Sequence, residues 1–165
     1  MARGYGWVRD PDGGGVTITD ALKRDTEKRL RAHAEKHYTG KFTRLGIKFR
    51  GQFCYIEAFK EPDPAARPYE GSGETLDEYR ERLRSAPFKL CRLRHCGQGE
   101  WTVGFFKYSD MKYELCILPS GDFYGTPEEG FDIGAVYLER GSAWQSEMRT
   151  NERSQRRVRR LSLPP

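Results

Sequence analysis

The sequence predicts an α+β fold, with three helices segregated against a five-stranded, mainly antiparallel sheet. The predicted order is helix, two strands, helix, three strands, helix (αββαβββα). Three observations carry this reading. Residues 90–118 (LCRLRHCGQGEWTVGFFKYSDMKYELCIL) read as a three-strand meander, its turns supplied by Gly97-Gln98-Gly99 and Ser109-Asp110-Met111. Trp101, Val103 and Phe105 alternate with Thr102 and Gly104, and Tyr113, Leu115 and Ile117 with Lys112, Glu114 and Cys116, as in a sheet buried mainly on one face. Two segments outside the meander carry helix-start signatures, Thr75-Leu76-Asp77-Glu78 and Thr126-Pro127-Glu128-Glu129.

In chain order, Trp7-Val8-Arg9, the run Asp10 to Gly15 and Val16-Thr17-Ile18 read as a small hairpin or an irregular lead-in. Its glycines form a flexible turn and not a phosphate loop, since no Gly-Lys-Ser/Thr ending follows. A helix is predicted over residues 19–38, capped by Thr19 or Asp20 and closed by Gly40. Ile18, Leu22, Thr26, Leu30, His33, Ala34, His37 and Tyr38 share its apolar stripe, while Lys23, Arg24, Glu27, Lys28, Arg31 and Glu35 face water.

Residues 42–49 and 53–60 are two strands joined at Arg50-Gly51. The second is apolar on both sides, Phe53, Tyr55 and Phe59 against Cys54, Ile56 and Ala58, which marks a central or doubly covered strand. Pro62, Pro64 and Pro68 end the sheet and open a surface loop over residues 61–74. Leu76, Tyr79 and Leu83 are the buried stripe of the next helix, which Pro87 stops. Phe131, Ala135 and Leu138 are that of the last. The expected organisation is one domain over residues 1–141 and a disordered Arg-rich tail over 142–165.

At FRGQFCYIEAFKEP (49–62), CRLRHCG (91–97) and PSGDFYGTPEEGFDIGAVYL (119–138) the chain resembles a family of small bacterial proteins described as hypothetical. The similarity covers roughly residues 40–138 and includes the order of the elements. It implies a shared fold unit and a bacterial origin, and it carries over no site residues. The Arg-rich tail is not part of it.

Charge narrows the partners. The formal net charge is +5, and six of the 29 basic but only one of the 24 acidic residues lie in 149–165. Residues 1–148 therefore carry equal numbers of each sign, and the whole excess sits at Arg149, Arg153, Arg156, Arg157, Arg159 and Arg160. Those six arginines are the candidate nucleic-acid contacts, each able to pair with a phosphate in a salt-dependent way. No membrane span and no secretory signal are expected, so the expected compartment is cytoplasmic and the four cysteines are expected as thiols. No cofactor is expected, and no protein partner is indicated.

Two further chemistries compete. His33 and His37 stand four apart on one helical face, half of a metal site that His95 could complete, although neither HExxH nor HxxEH is present. Cys91 and His95 share a strand face about 13 Å apart at ~3.3 Å per residue, too far to bind one ion. A nucleophilic Cys91 activated by Arg92 or Arg94 is the thiol-enzyme version, against the preferred reading of cysteines as small buried side chains. Glu57 and Lys60 face opposite sides of their strand and are rejected as a nuclease pair. Finally, Phe53, Tyr55 and Phe59 with Arg92 and Arg94 are a conceivable base-stacking face, for which core packing under helices is the preferred reading. The leading expectation is a non-enzymatic binding or accessory protein with weak nucleic-acid affinity supplied by the tail. The alternative is a metal-dependent or thiol enzyme.

Overall fold

The computed structural model describes residues 12–140. Trp7 to Pro11 of the expected lead-in and the Arg-rich segment from 141 onward, with all six candidate arginines, lie outside them. Five strands form one sheet: β1 (Arg44–Arg50), β2 (Phe53–Phe59), β3 (Phe88–Gly97), β4 (Glu100–Lys107) and β5 (Lys112–Cys116). Each pairs antiparallel with the next in sequence, so the sheet is a single meander in the order β1-β2-β3-β4-β5. The helices are α1 (Asp20–Tyr38), α2 (Leu76–Ser85) and α3 (Pro127–Gly134), followed by the four-residue α4 (Val136–Glu139). The α+β class and the element order are as the sequence predicts.

Turn chemistry sets the meander. Gly97, Gln98 and Gly99 all take positive φ (91°, 52° and 75°), and Met111 closes the β4–β5 turn at 54°. Both capping boxes form. Thr75 accepts from the Glu78 amide while the Glu78 carboxylate accepts from the Thr75 amide, and Thr126 and Glu129 repeat the exchange behind Pro127.

Cross-strand register assigns the two faces. Leu45, Ile47 and Phe49 lie opposite Ala58, Ile56 and Cys54; these continue into Cys91 and Leu93, then Phe105 and Val103. This face is the main core, covered by Leu30 and Ala34 of α1 and by Phe131, Ala135, Tyr137 and Leu138. α3 lies across β3 and β4, and α1 packs on α3 and touches β1. Burying the largest of these side chains contributes about 1.5–3 kcal/mol each.

The reverse face departs from the expectation of a sheet buried mainly on one side. Phe53, Arg92, Arg94, Thr102 and Phe106 are buried there, outside the helix-covered cluster. β5 also differs: it ends at Cys116, leaving Ile117 55% exposed. Pairing of Phe106 with Tyr113 and of Gly104 with Leu115 turns its apolar residues to the reverse face, away from Trp101 and Val103.

Residues 12–18 strap the β2–β3 end of the sheet. The Val16 amide donates to the His95 carbonyl at 2.8 Å and the Ile18 amide to the Gly51 carbonyl at 3.0 Å. Gly15, expected in a flexible turn, is a packing position instead. Its φ is +91°, and a β-carbon there would stand 2.9 Å from both Arg94 Cγ and the His95 carbonyl oxygen.

Candidate functional site

Arg92 and Arg94 alternate along β3 and so project from the same face of the sheet. Register places Tyr55 and Phe53 beside them on β2, and Gly104 and Thr102 on β4. Gly104 leaves the space into which Tyr113 leans, since a β-carbon there would lie 3.3 Å from Tyr113 Cβ. The Arg92 guanidinium carbon then sits 4.4 Å from the Phe53 ring centre and 4.7 Å from that of Tyr113, with Tyr55 at 6.0 Å. Each such contact contributes about 0.5–2 kcal/mol, which helps offset the desolvation of a buried cation. Burial, the first of several causes, pushes the Tyr113 hydroxyl well above its ordinary range.

Two oxygens from consecutive residues of the strap face these arginines. Arg92 Nη2 donates to Asp12 Oδ1 at 2.7 Å. Arg94 Nη1 donates to the Gly13 carbonyl, and Arg94 Nε to Thr102 Oγ1 at 3.2 Å. The two partners of the Arg92–Asp12 pair differ sharply in exposure: the arginine side chain is 8% exposed and the carboxylate 75%. The rings of Phe53 and Tyr113 flank the guanidinium, while the carboxylate stays in water.

The residues read as a stacking face are therefore brought together, with their rings already in contact with the protein's own cations. Arg92 stands on Phe53, and Arg44 stands 3.9 Å over the Phe59 ring. Beyond them the reverse face of edge strand β1 carries Arg44, Lys48 and Arg50, all exposed, with Lys48 pairing to Glu57 at 2.9 Å. Lys60 instead donates to the Leu138 and Arg140 carbonyls, apart from Glu57 as expected.

The histidines do not converge. His33 and His37 have ring centres 4.6 Å apart on α1, and His33 Nε2 meets Asp132 Oδ1 of α3 at 2.6 Å. His95 is buried elsewhere, its Nδ1 3.1 Å from the Val16 carbonyl and its ring 5.0 Å from Trp101. Among the described residues no group of three or more His, Cys, Asp or Glu side chains is placed to hold a metal ion, so His95 does not complete the His33–His37 pair.

The thiol alternative meets a physical obstacle. Cys91 is fully buried in the main core, and burial pushes its pKa well above the ordinary thiol range, as it does for Cys54. Arg92 and Arg94 project from the opposite face of β3 and leave the Cys91 thiol neutral. Burial also raises Cys96, against an opposing pull from Arg94, and Cys116.

Asp12 and Gly13 were not legible as site residues. The only sequence signal for them is an acidic residue followed by three glycines, which fits a strap laid closely over side chains as well as a loose turn. Comparison with protein-family models, with curated proteins and with solved structures finds no match.

Proposed function

We propose that this chain is a non-enzymatic nucleic-acid-binding or accessory protein of a bacterial cytoplasm, holding phosphates without reading sequence. The carrying observation is the segregation of charge. Residues 1–148 balance, and the entire +5 lies at Arg149, Arg153, Arg156, Arg157, Arg159 and Arg160. The sheet supports the same reading through the exposed row Arg44, Lys48 and Arg50 on one face of β1. The aromatic rings beside that row already stack on arginine, which favours phosphate contact over base stacking. No helix among the described residues is long and apolar enough to cross a membrane.

The test is binding of a mixed-sequence oligonucleotide at about 50 and 200 mM salt, by the full chain and by a full-length variant with the six arginines changed to glutamine. Six phosphate contacts predict a loss on the order of 10³ in affinity across that range, and the variant should lose both the affinity and the slope. Equal binding by the two proteins would remove the tail from the proposal. A further triple change, Arg44→Gln, Lys48→Gln and Arg50→Gln, should lower affinity by a smaller factor. Failure of the full chain to bind at about 50 mM salt defeats the reading.

A further inference from the structure

We propose that the outer edge of β1 receives an extended acidic segment of a partner protein, which adds to the sheet as a further strand. The inference uses the backbone of this edge and takes no step through the Arg-rich tail, so it goes beyond the nucleic-acid reading above.

The edge backbone carries the argument. β1 is seven residues long and ends the sheet, and among the described residues no strand lies beyond it. Arg50 and Phe53 close a two-residue turn opened by Gly51 at φ 59°, so that pair exchanges both of its ladder bonds. Alternation then points the amides and carbonyls of Lys48, Gly46 and Arg44 toward β2, and those of Phe49, Ile47 and Leu45 outward. The Leu45 carbonyl behaves as an outward group, accepting from Arg31 Nη1 of α1 at 3.4 Å. Such an edge offers donors and acceptors in turn. A second peptide backbone satisfies both, whereas a phosphodiester brings acceptors alone.

Side chains choose the kind of strand. Arg44, Lys48 and Arg50 are exposed along one face of β1. Arg44 stands over the Phe59 ring and Lys48 meets Glu57 at 2.9 Å, so the row of three cations holds one carboxylate. Half-buried Ile47 and Phe49 lie on the other face, at the margin of the main core. An antiparallel strand would place carboxylates opposite Arg50, Lys48 and Arg44, and apolar side chains opposite Phe49, Ile47 and Leu45. The three cations serve either phosphates or this strand, so the two ligands exclude one another at β1.

The same row rules out a second copy of this chain as the occupant. Pairing about a two-fold axis at Ile47 sets Arg44 against Arg50 of the second copy, in both halves of the pair. Sliding the register by two residues sets Arg44 against Lys48, or Lys48 against itself. Like charges directly opposite are destabilising, so the edge rejects itself and accepts acid.

The probe is a capped peptide, Glu-Val-Glu-Val-Thr-Val-Glu, matched in length to the seven residues of β1. It is titrated into the isotope-labelled full-length protein and followed by NMR of the backbone amides. Those of Ile47 and Phe49 should shift and gain protection from exchange, while those of β5 at the far edge stay unmoved. N-methylation of the valine opposite Ile47 removes a donor that faces β1, and affinity should fall about tenfold or more. N-methylation of the threonine opposite Gly46, whose amide points to water, should change it less than about threefold. A peptide with lysine for each glutamate should bind at least about tenfold more weakly, and Arg44→Glu with Arg50→Glu in the protein should reverse that preference.

The variant with its six tail arginines changed to glutamine should bind the peptide as the unaltered chain does, so this result is independent of the oligonucleotide test. No amide shift at about 1 mM peptide, shifts that bypass Ile47 and Phe49, equal losses from the two N-methyl groups, or indifference to peptide charge would each overturn the proposal. An oligonucleotide that protects the same two amides would overturn it too, assigning the edge to nucleic acid.

Discussion

Gly134 of α3 rests directly on the backbone of Leu90 in β3. A β-carbon at 134 would stand 2.8 Å from the Leu90 carbonyl carbon and 2.9 Å from its oxygen. One turn earlier, a β-carbon on Gly130 would stand 2.5 Å from Leu93 Cδ2. The two glycines form the face by which α3 meets the sheet.

That contact makes the sign of a substitution informative. In an open helix, Gly→Ala gains about 1 kcal/mol from propensity. At Gly134 the obstacle is backbone, which cannot swing aside, and overpacking costs typically about 1–3 kcal/mol. Gly134→Ala should therefore lower the stability measured by chemical denaturation, and Gly130→Ala less so, since Leu93 can adjust its side chain. Gly46→Ala is the control: the nearest atoms to its β-carbon lie at an ordinary 3.6 Å, and the change should stay within about 0.5 kcal/mol. A stabilised Gly134→Ala would mean that α3 does not pack this closely.

What the sequence made legible was local. Thr75 with Glu78 and Thr126 with Glu129 carry their hydrogen bonds three residues apart, so the cap is written in the motif itself. Alternation likewise identified Trp101, Val103 and Phe105 as one face of a strand. It did not say which face Tyr113 would join, because that depends on the Phe106–Tyr113 register set by the intervening turn. The slot around Arg92 was hidden for the same reason: Phe53, Tyr113 and Asp12 come from three distant segments. Phe53, Tyr55, Phe59, Arg92 and Arg94 were correctly grouped by parity, but parity alone did not reveal that an arginine fills the space between two rings.

The Thr126 cap gives a second measurable effect. Thr126 Oγ1 accepts from the Glu129 amide at 3.2 Å and the Glu129 carboxylate accepts from the Thr126 amide at 2.7 Å, at the start of a helix only eight residues long. Thr126→Ala should cost about 1 kcal/mol in a denaturation experiment, and Thr126→Ser much less. An equal loss in both would point to the methyl group and not to the cap.

Asp132 joins α1 to α3 through a single oxygen, Oδ1, which accepts from the Tyr38 hydroxyl at 2.7 Å and lies 2.6 Å from His33 Nε2. Tyr38→Phe should cost about 0.5–1.5 kcal/mol, reduced by the exposure of the carboxylate to water. Asp132→Ala should cost more, because it strips both side chains of their acceptor. In a double-mutant cycle the two losses should sum to more than the loss in the double variant. Strict additivity would show that Tyr38 and Asp132 do not share a bond in solution.

The buried thiols make stability fall on the alkaline side. Burial raises the pKa of Cys54 and of Cys91, so both stay protonated in the folded chain where the unfolded chain would ionise them. The stabilisation is complete below the unfolded thiol value of about 8.5 and is lost progressively as pH rises above it, by up to about 1.4 kcal/mol per pH unit for each thiol. Tyrosines 38, 113 and 137, also raised by burial first, extend the loss above about pH 10. Denaturation midpoints should therefore decline between about pH 8.5 and 10, and Cys54→Ala should remove about a quarter to a half of that slope, since Cys96 and Cys116 are raised as well. A disulfide-exchange reagent at about pH 8 should leave Cys54 and Cys91 unmodified in the folded chain, label the half-buried Cys96 and Cys116 slowly, and label all four in denaturant. Rapid labelling of Cys91 under native conditions would reopen the thiol chemistry that its burial opposes, and an unchanged slope in Cys54→Ala would assign the alkaline loss to other groups.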